Sequence, residues 1–155
     1  WTATPFIDVN RDSITGRGVI QPTLWESSPG VVHMLMRSTN GSLCRSNSDD
    51  YGQTWSEVYK TTLPNNNSAI DVTKLADGTL VLVFNNLERD GIRTPINAAI
   101  SKDNGVSWPT IIRLEHYYNQ EFSYPAIISI GDKVYSTYTW NRKRIAFWIG
   151  ELTKP

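Results

Sequence analysis

The sequence lacks any excess of charge and any long apolar run. Its 155 residues contain 15 Lys and Arg against 15 Asp and Glu, so the formal net charge is zero. A balanced chain has no electrostatic reason to bind nucleic acid or an anionic membrane surface. No run of about 18 apolar residues is present, so no transmembrane helix is predicted, and the start shows no secretory signal pattern. We therefore expect neither a nucleic-acid nor a membrane partner.

Cysteine and histidine are also scarce. The single cysteine, Cys44, excludes an internal disulfide, and its place in an apolar-polar alternation predicts a buried, unreactive thiol. The two histidines, His33 and His116, are isolated from carboxylates and cysteines at metal-ligand spacing. No haem, phosphate-loop or nucleotide motif is present. The sequence thus predicts no metal site and no cofactor.

What the sequence does contain is a repeated turn motif, Ser-x-Asp-x-Gly-x-(Ser/Thr)-Trp. The motif occupies residues 48–55 and again 101–108, so its tryptophans, Trp55 and Trp108, lie 53 residues apart. A fixed period of about 50 residues with a turn in each unit is typical of radial or stacked β arrays. Trp1 lies 54 residues before Trp55 and matches the last position of a third copy. We therefore expect the chain to begin inside a larger protein.

Each position of the motif has a structural role. The glycine accepts positive φ without steric cost, and the aspartate accepts backbone N–H bonds that close the turn. The tryptophan packs its apolar face beneath the turn. The motif is thus expected to stabilise the fold rather than to bind a ligand.

The remaining segments indicate short strands separated by turn residues. Strands are predicted at residues 31–36, 43–46, 80–84, 96–101, 126–129, 134–140 and 144–149. No stretch has helical periodicity with caps. The prediction is an all-β chain of about three four-stranded antiparallel sheets, arranged as part of a propeller because that arrangement protects sheet edges. So few sheets cannot close a ring, so either an N-terminal half or a second copy of the chain is the expected partner.

The motifs resemble the Asp-box (BNR) repeats of the sialidase superfamily, whose fold is a six-bladed propeller. The resemblance extends from about residue 18 to the end. Four stretches fall in the order and spacing of the C-terminal half of such domains: Gln21-Pro22-Thr23-Leu24, Met36-Arg37-Ser38, Arg93-Thr94-Pro95-Ile96-Asn97 and Ser123-Tyr124-Pro125-Ala126. The resemblance implies one partial domain over residues 1–155 that lacks its N-terminal half, in a secreted or cell-surface protein. Asp boxes alone would establish the fold and not the function.

The resemblance assigns two arginines to substrate binding. Sialidase substrates carry a carboxylate, and guanidinium groups bind carboxylates through two parallel N–H bonds. Arg37 resembles the second arginine of the family's triad and Arg93 the third, while the first belongs to the N-terminal half. The alternative for each is a solvated cation at a strand end.

Tyr124 resembles the family's nucleophile. Sialidases use a tyrosine because an anionic nucleophile would be repelled by the substrate's own carboxylate. Such a tyrosine needs a neighbouring base, and the family supplies a glutamate sixteen residues before the second arginine. That position is Gln21, which cannot accept a proton. Glu26 is nearby in sequence but falls in a segment, residues 25–30, that is interpreted as a solvent-facing turn. The family's acid/base aspartate belongs to the N-terminal half.

Asp71 is a carboxylate in an otherwise apolar strand, where an unpaired charge is costly. It is either a structural partner for a turn or an arginine, or a member of the central pocket.

Three functions follow from the resemblance and its departure at Gln21. The first is an exo-glycosidase of sialidase type acting on sialic acid or another acidic glycan, active only with the missing half. The second is a carbohydrate-binding propeller that kept the pocket without the chemistry. The third is a structural scaffold in which the boxes only stabilise the fold.

Overall fold

The computed structural model describes residues 2–152, so the prediction that Trp1 ends a third Asp box lies outside the described residues. These residues form eleven β-strands in three antiparallel sheets. Sheet 1 contains β1 (Val19–Ser28), β2 (Val31–Ser38), β3 (Ser42–Ser48) and β4 (Tyr59–Pro64). Sheet 2 contains β5 (Asp71–Lys74), β6 (Leu80–Phe84), β7 (Ile96–Ser101) and β8 (Thr110–Glu115). Sheet 3 contains β9 (Phe122–Ile130), β10 (Lys133–Trp140) and β11 (Arg144–Glu151).

The all-β prediction is confirmed, and the predicted strands at 80–84 and 96–101 have the bounds of β6 and β7. The interpretation of residues 25–30 as a turn is wrong for its first four residues, which belong to β1. Trp25 and Glu26 pair with His33 and Val32 in the β1–β2 ladder, and β1 ends only at Ser28. The reason is burial, because Trp25 is only 5% exposed and anchors this end of β1 in the core.

The three sheets pack face to face through two apolar cores. Sheets 1 and 2 share a core that includes Trp25, Leu35, Leu82 and Trp108. Sheets 2 and 3 share a second core around Phe122. The first strand of each sheet contacts the first strand of the next, β1 against β5 and β5 against β9. These three first strands therefore lie together along one edge of the assembly.

The outer faces of the end sheets differ. Residues before β1 cover sheet 1, where the buried Ile14 packs with Met34, Met36 and Cys44. Cys44 is a buried free thiol, as predicted, and burial raises its pKa. The outer face of sheet 3 instead exposes apolar side chains along β11, including Phe147. Within the described residues no helix is long and apolar enough to cross a membrane, and no cluster of three or more His, Cys, Asp or Glu side chains could hold a metal ion.

Both Asp boxes form the predicted closed turn. Asp50 Oδ1 accepts hydrogen bonds from Ser48 Oγ at 2.7 Å and Thr54 N at 2.8 Å, and Asp50 Oδ2 accepts from Thr54 Oγ1 at 2.6 Å. In the second box Asp103 accepts from Ser101 Oγ at 2.7 Å, Ser107 N at 2.9 Å and Ser107 Oγ at 2.5 Å. The bonds from Thr54 and Ser107, followed by those from the first serines, lower the pKa of both carboxyls to about 2.

Candidate functional site

Two residues in first strands share an unusual backbone geometry. Gln21 on β1 has φ of 50° and Tyr124 on β9 has φ of 54°, and each precedes a proline. Each lies at a β-bulge, where the register of its strand shifts against the neighbour. Residues before proline favour extended conformations, and bulky side chains rarely adopt positive φ, so both positions are strained. Strain of this kind is retained where it directs a side chain to a particular place, and Tyr124 is 49% exposed.

Asp71, on the first strand of sheet 2, connects the strands that carry these bulges. Its Oδ1 accepts a hydrogen bond from Thr23 Oγ1 on β1 at 2.7 Å, and its Oδ2 accepts from Ile127 N on β9 at 2.9 Å. Thr23 follows Gln21 by two residues, and Ile127 follows Tyr124 by three. One carboxylate thus connects β1 and β9 near the two bulges, through a side-chain hydroxyl and a strand N–H rather than through the turn or the arginine of the structural alternative.

The hydroxyl end of Tyr124 lies among cations. The Arg93 guanidinium carbon lies 5.1 Å from the centroid of the Tyr124 ring. Arg93 lowers the pKa of Tyr124 first through a hydrogen bond and then through its charge, and the charges of Arg37 and Arg142 act in the same direction. The structure therefore brings Arg37, Arg93 and Tyr124 into one electrostatic environment, although Arg37 is on β2, Arg93 is in the β6–β7 loop and Tyr124 is on β9.

Glu121 and Arg142 belong to this cluster and were not predicted. Glu121 Oε1 lies 3.4 Å from Arg93 Nη1, and Arg142 Nε donates to both oxygens of Glu121 at 3.1 and 3.2 Å. Desolvation acts to raise the pKa of Glu121, but hydrogen bonds from Arg142 and Ser123 and the two arginine charges leave it lowered. An ion-paired carboxylate of low pKa accepts protons poorly, so Glu121 positions the two arginines. Arg142 is 21 residues from Glu121 in sequence, a separation at which no local pattern reveals the contact.

On the other side, Arg37 interacts with the residue at the family's base position. Arg37 Nη1 donates to Gln21 Oε1 at 2.8 Å. No salt bridge forms between Arg37 and a carboxylate of residues 2–152. Because Gln21 is uncharged, it does not neutralise the positive charge of Arg37.

Glu26 does not take over the role of a base beside Tyr124. Its Oε1 accepts a hydrogen bond from Gly30 N at 2.8 Å and thereby closes the β1–β2 turn.

An open cavity of about 860 Å³ adjoins the cluster. Its lining includes Arg93, Glu121 and Arg142 together with polar side chains such as Asn119 and Gln120. A second cavity, of about 640 Å³, lies on the other side of Arg142 and includes Tyr124 in its lining. Both cavities have cationic side chains in their linings, Arg93 and Arg142 in the first and Arg142, Lys143 and Arg144 in the second, which suits an anionic ligand.

The sequence and the fold place this chain among known proteins. A family model described as a BNR repeat-like domain matches residues 1–136, and the chain belongs to that family. No curated protein sequence matches it.

Solved structures of glycosidases share its fold. The Hadza microbial sialidase Hz136 is 25% identical over 86% of this chain and 28% of its own, with a TM-score of 0.72. The K499G mutant of NanB sialidase from Streptococcus pneumoniae is 19% identical over 76% of this chain and 19% of its own, with a TM-score of 0.64. The alpha-L-arabinanase of Penicillium chrysogenum is 16% identical over 96% of this chain and 50% of its own, with a TM-score of 0.69.

These likenesses confirm the predicted β-propeller fold and the resemblance to sialidase-type BNR proteins. The chain spans half or less of the length of each of these structures.

Proposed function

We propose that this chain forms part of the active site of a sialidase-like glycoside hydrolase that acts on an acidic glycan. The observation that carries the proposal is the convergence of Arg37 and Arg93 on the strained, half-exposed Tyr124. In this proposal the two guanidinium groups bind the carboxylate of the sugar. The partner that completes the propeller is an N-terminal half or a second copy of the chain.

Tyr124 is the nucleophile in this proposal. Its oxygen forms a bond to the anomeric carbon of the sugar, and the bond from that carbon to the leaving-group oxygen breaks. The leaving oxygen takes its proton from an acid in the completing half, and water then hydrolyses the tyrosyl intermediate. The phenolic proton must leave before or during attack, and Gln21 cannot accept it.

The cations around Tyr124 offer a route around the missing base. Because Arg93, Arg37 and Arg142 lower the pKa of Tyr124, a larger fraction of phenolate is present at a given pH. The proton can then pass to water before the sugar binds, and the same three guanidinium groups offset the repulsion between the phenolate and the carboxylate of the sugar. Turnover by this route should rise with pH towards the lowered pKa of Tyr124, whereas a paired base would place the maximum at lower pH.

The binding part of the proposal is tested on the 155-residue chain by calorimetry with N-acetylneuraminic acid and with a neutral sugar of similar size. Arg37→Lys and Arg93→Lys should each weaken binding of the acidic sugar, because a point charge cannot form two parallel N–H bonds; each charge-assisted bond lost costs roughly 1.5–3 kcal/mol. The neutral sugar should be affected far less. A double variant that binds both sugars as the parent does would remove the carboxylate site.

The catalytic part is tested in the completed propeller with an aryl sialoside. Gln21→Glu should raise turnover by restoring a proton acceptor, and adding Tyr124→Phe should abolish the gain. Unchanged turnover in Gln21→Glu would contradict the role of residue 21.

A second candidate is a binding propeller without catalysis. The hydrogen bond from Arg37 to the Gln21 amide favours this candidate. Glutamine at position 21 gives Tyr124 no base, and it leaves the positive charge of Arg37 free to bind an anion. Binding of the acidic sugar without release of the aryl group at any pH would select this candidate.

A further inference from the structure

The turn between β10 and β11 presents three consecutive cations next to Tyr124. Arg142 and Lys143 follow Asn141 in this turn, and Arg144 is the first residue of β11; the turn is closed by the hydrogen bond from Lys143 N to Trp140 O at 3.0 Å. Both central residues have positive φ, 50° at Asn141 and 54° at Arg142. Turns whose two central residues both have positive φ usually carry Asn-Gly, because glycine accepts the left-handed conformation without strain. An arginine at the second position is therefore a strained choice that nothing in the turn itself requires.

The turn is held rigidly against the segment that leads into β9. Asn141 N donates to Glu121 O at 2.7 Å, and Glu121 N donates to Asn141 Oδ1 at 2.6 Å. The Arg142 side chain returns to the Glu121 carboxylate. Backbone and side chain thus fix the position of the turn relative to Tyr124, which follows Glu121 by three residues.

The charge at this turn is largely unbalanced. Glu121 forms salt bridges with Arg142 and Arg93, so two cations share a single carboxylate. Neither Lys143 nor Arg144 forms a salt bridge with any carboxylate of residues 2–152, and the Arg144 guanidinium carbon lies 5.7 Å from the Trp140 ring centroid. The Arg144 guanidinium therefore packs over the face of the Trp140 ring and not against a carboxylate.

The cavity of about 640 Å³ at this turn is lined by the three cations and Tyr124, together with Thr139 and Ile145. No carboxylate is among these lining residues. Tyr124 is thus shared between the arginine cluster on one side and the cationic turn on the other. A ligand bound at Tyr124 that extends over the turn would meet positive charge a second time.

We propose that the turn at residues 142–144 is a second anion subsite, which binds a further negatively charged group of the glycan, a carboxylate or a sulfate ester. The ligand of this site is then a polyanionic glycan rather than a glycan with one acidic sugar. The inference rests on the proposed function only for the first acidic sugar, which Arg37 and Arg93 would hold.

The test is an NMR titration of the 155-residue chain with three probes. N-acetylneuraminic acid carries one carboxylate, its α2,8-linked dimer carries two, and its 8-sulfated form carries one carboxylate and one sulfate. We expect the dimer, the sulfated sugar or both to bind roughly fivefold or more tightly than the monomer, the gain of one to two partly exposed ion pairs. The gain should shrink as ionic strength rises, because exposed charges are screened. Tighter binding of both dianionic probes would show that the subsite recognises charge alone. Tighter binding of only one would show that it recognises the carboxylate or the sulfate that this probe carries.

A double variant, Lys143→Gln with Arg144→Gln, locates the subsite. It should bring the affinity for the dianionic probes down to that for the monomer and leave the affinity for the monomer unchanged. Lys60→Gln with Lys102→Gln is the matched control, because it removes the same charge at two exposed positions away from the turn. Equal losses in both double variants, or dianionic probes that bind no better than the monomer, would overturn the second subsite while leaving the proposed function intact.

The converse outcome separates the two proposals. In this outcome the double variant Arg37→Lys, Arg93→Lys leaves all affinities unchanged, while the variant at 143 and 144 loses the preference for two charges. Such a result would sustain the subsite and overturn the proposed function. A parent chain that binds none of the three probes would overturn both proposals.

Discussion

The Asp boxes at residues 48–55 and 101–108 form the same turn, but their surroundings differ. The fourth residue of each box has nearly the same φ, 61° at Tyr51 and 60° at Asn104. Tyr51 is 70% exposed, whereas Asn104 lies against sheet 1. Trp55 is half-buried beneath its turn, and Trp108 belongs to the core between sheets 1 and 2. The comparison separates what the motif does alone from what its position in the fold adds.

The second box, which follows β7 of sheet 2, is joined to sheet 1 by hydrogen bonds. Trp25 Nε1 donates to Asn104 Oδ1 at 2.7 Å, and Arg45 Nη1 donates to Gly105 O at 2.9 Å. The bond from Trp25 fixes the Asn104 amide so that its Nδ2 points to His33 Nε2, 2.9 Å away. Arg45 Nη2, which can only donate, lies 3.0 Å from His33 Nδ1, so hydrogen-bond donors face both ring nitrogens and the neutral imidazole is favoured, in agreement with its lowered pKa. The second box thus closes its own turn and also forms a joint between sheets 1 and 2, made by Trp25, His33 and Asn104.

The largest expected difference between the boxes concerns their tryptophans. Trp108→Ala should lower the free energy of unfolding by about 3–5 kcal/mol, because it empties a large site in a shared core. Trp55→Ala should cost about 1–2 kcal/mol, because this ring is already partly exposed. Urea unfolding of both variants measures the two losses in free energy of unfolding. Equal losses would show that the turn motif alone, and not the surrounding core, sets the contribution of its tryptophan to stability.

The fourth residues of the boxes should differ by a smaller amount. Asn104→Ala leaves the Trp25 indole and His33 without their shared partner, which should cost about 1–3 kcal/mol. Tyr51→Ala is the matched control, since it places alanine at the same positive φ with no bond across sheets, and we expect it to cost about 1 kcal/mol or less. The same unfolding assay applies, and a loss at Tyr51 as large as that at Asn104 would contradict the role of the joint.

The joint should also make stability depend on pH. Burial lowers the pKa of His33 first, and the charges of Arg45 and Lys74 act in the same direction, while the Asn47 hydrogen bond and Asp49 oppose them. Below about pH 6.5 the unfolded chain binds the His33 proton more readily than the folded chain, so stability should fall as pH falls from there towards the lowered folded pKa.

The control is His33→Gln, which should have a flatter dependence on pH in this window. Urea midpoints at pH 7, 6 and 5 give the measurement. Parallel curves for the parent and the variant would show that another group titrates.

The smallest expected difference is at the aspartates of the two turns. Asp50 and Asp103 each have a pKa of about 2, below the ordinary value of 3.8, so the stability that each contributes is present above about pH 4 and is lost as pH falls through 2. Carboxyl NMR titration should give the same pKa for both within about a unit. A clear separation would show that the neighbouring sheet reaches into the turn itself.

Strand prediction from the sequence succeeded for β6, where both faces are buried, and failed for β4 and β8, where many residues are exposed. Apolar runs bounded by turn residues, such as 80–84, were recognised because both faces of the strand are buried. β4 and β8 were missed because they are outer strands with mostly exposed residues, which leaves little apolar pattern to read. Arg37, Arg93 and Tyr124 came from the family spacing. Glu121 and Arg142 escaped because their contact joins a loop to a turn 21 residues away.

The sequence by itself determined the turns, the repeat and the chemical types at the site, because these depend on neighbours within a few residues. Tertiary structure decided which charges share a space. Gln21, Asp71 and Tyr124 lie on three different sheets, and only the packing of β1, β5 and β9 along one edge sets their spacing. The fields that lower the pKa of Tyr124 and of His33 arise in the same way, because Coulomb energy and desolvation depend on distance through space and not on distance along the chain.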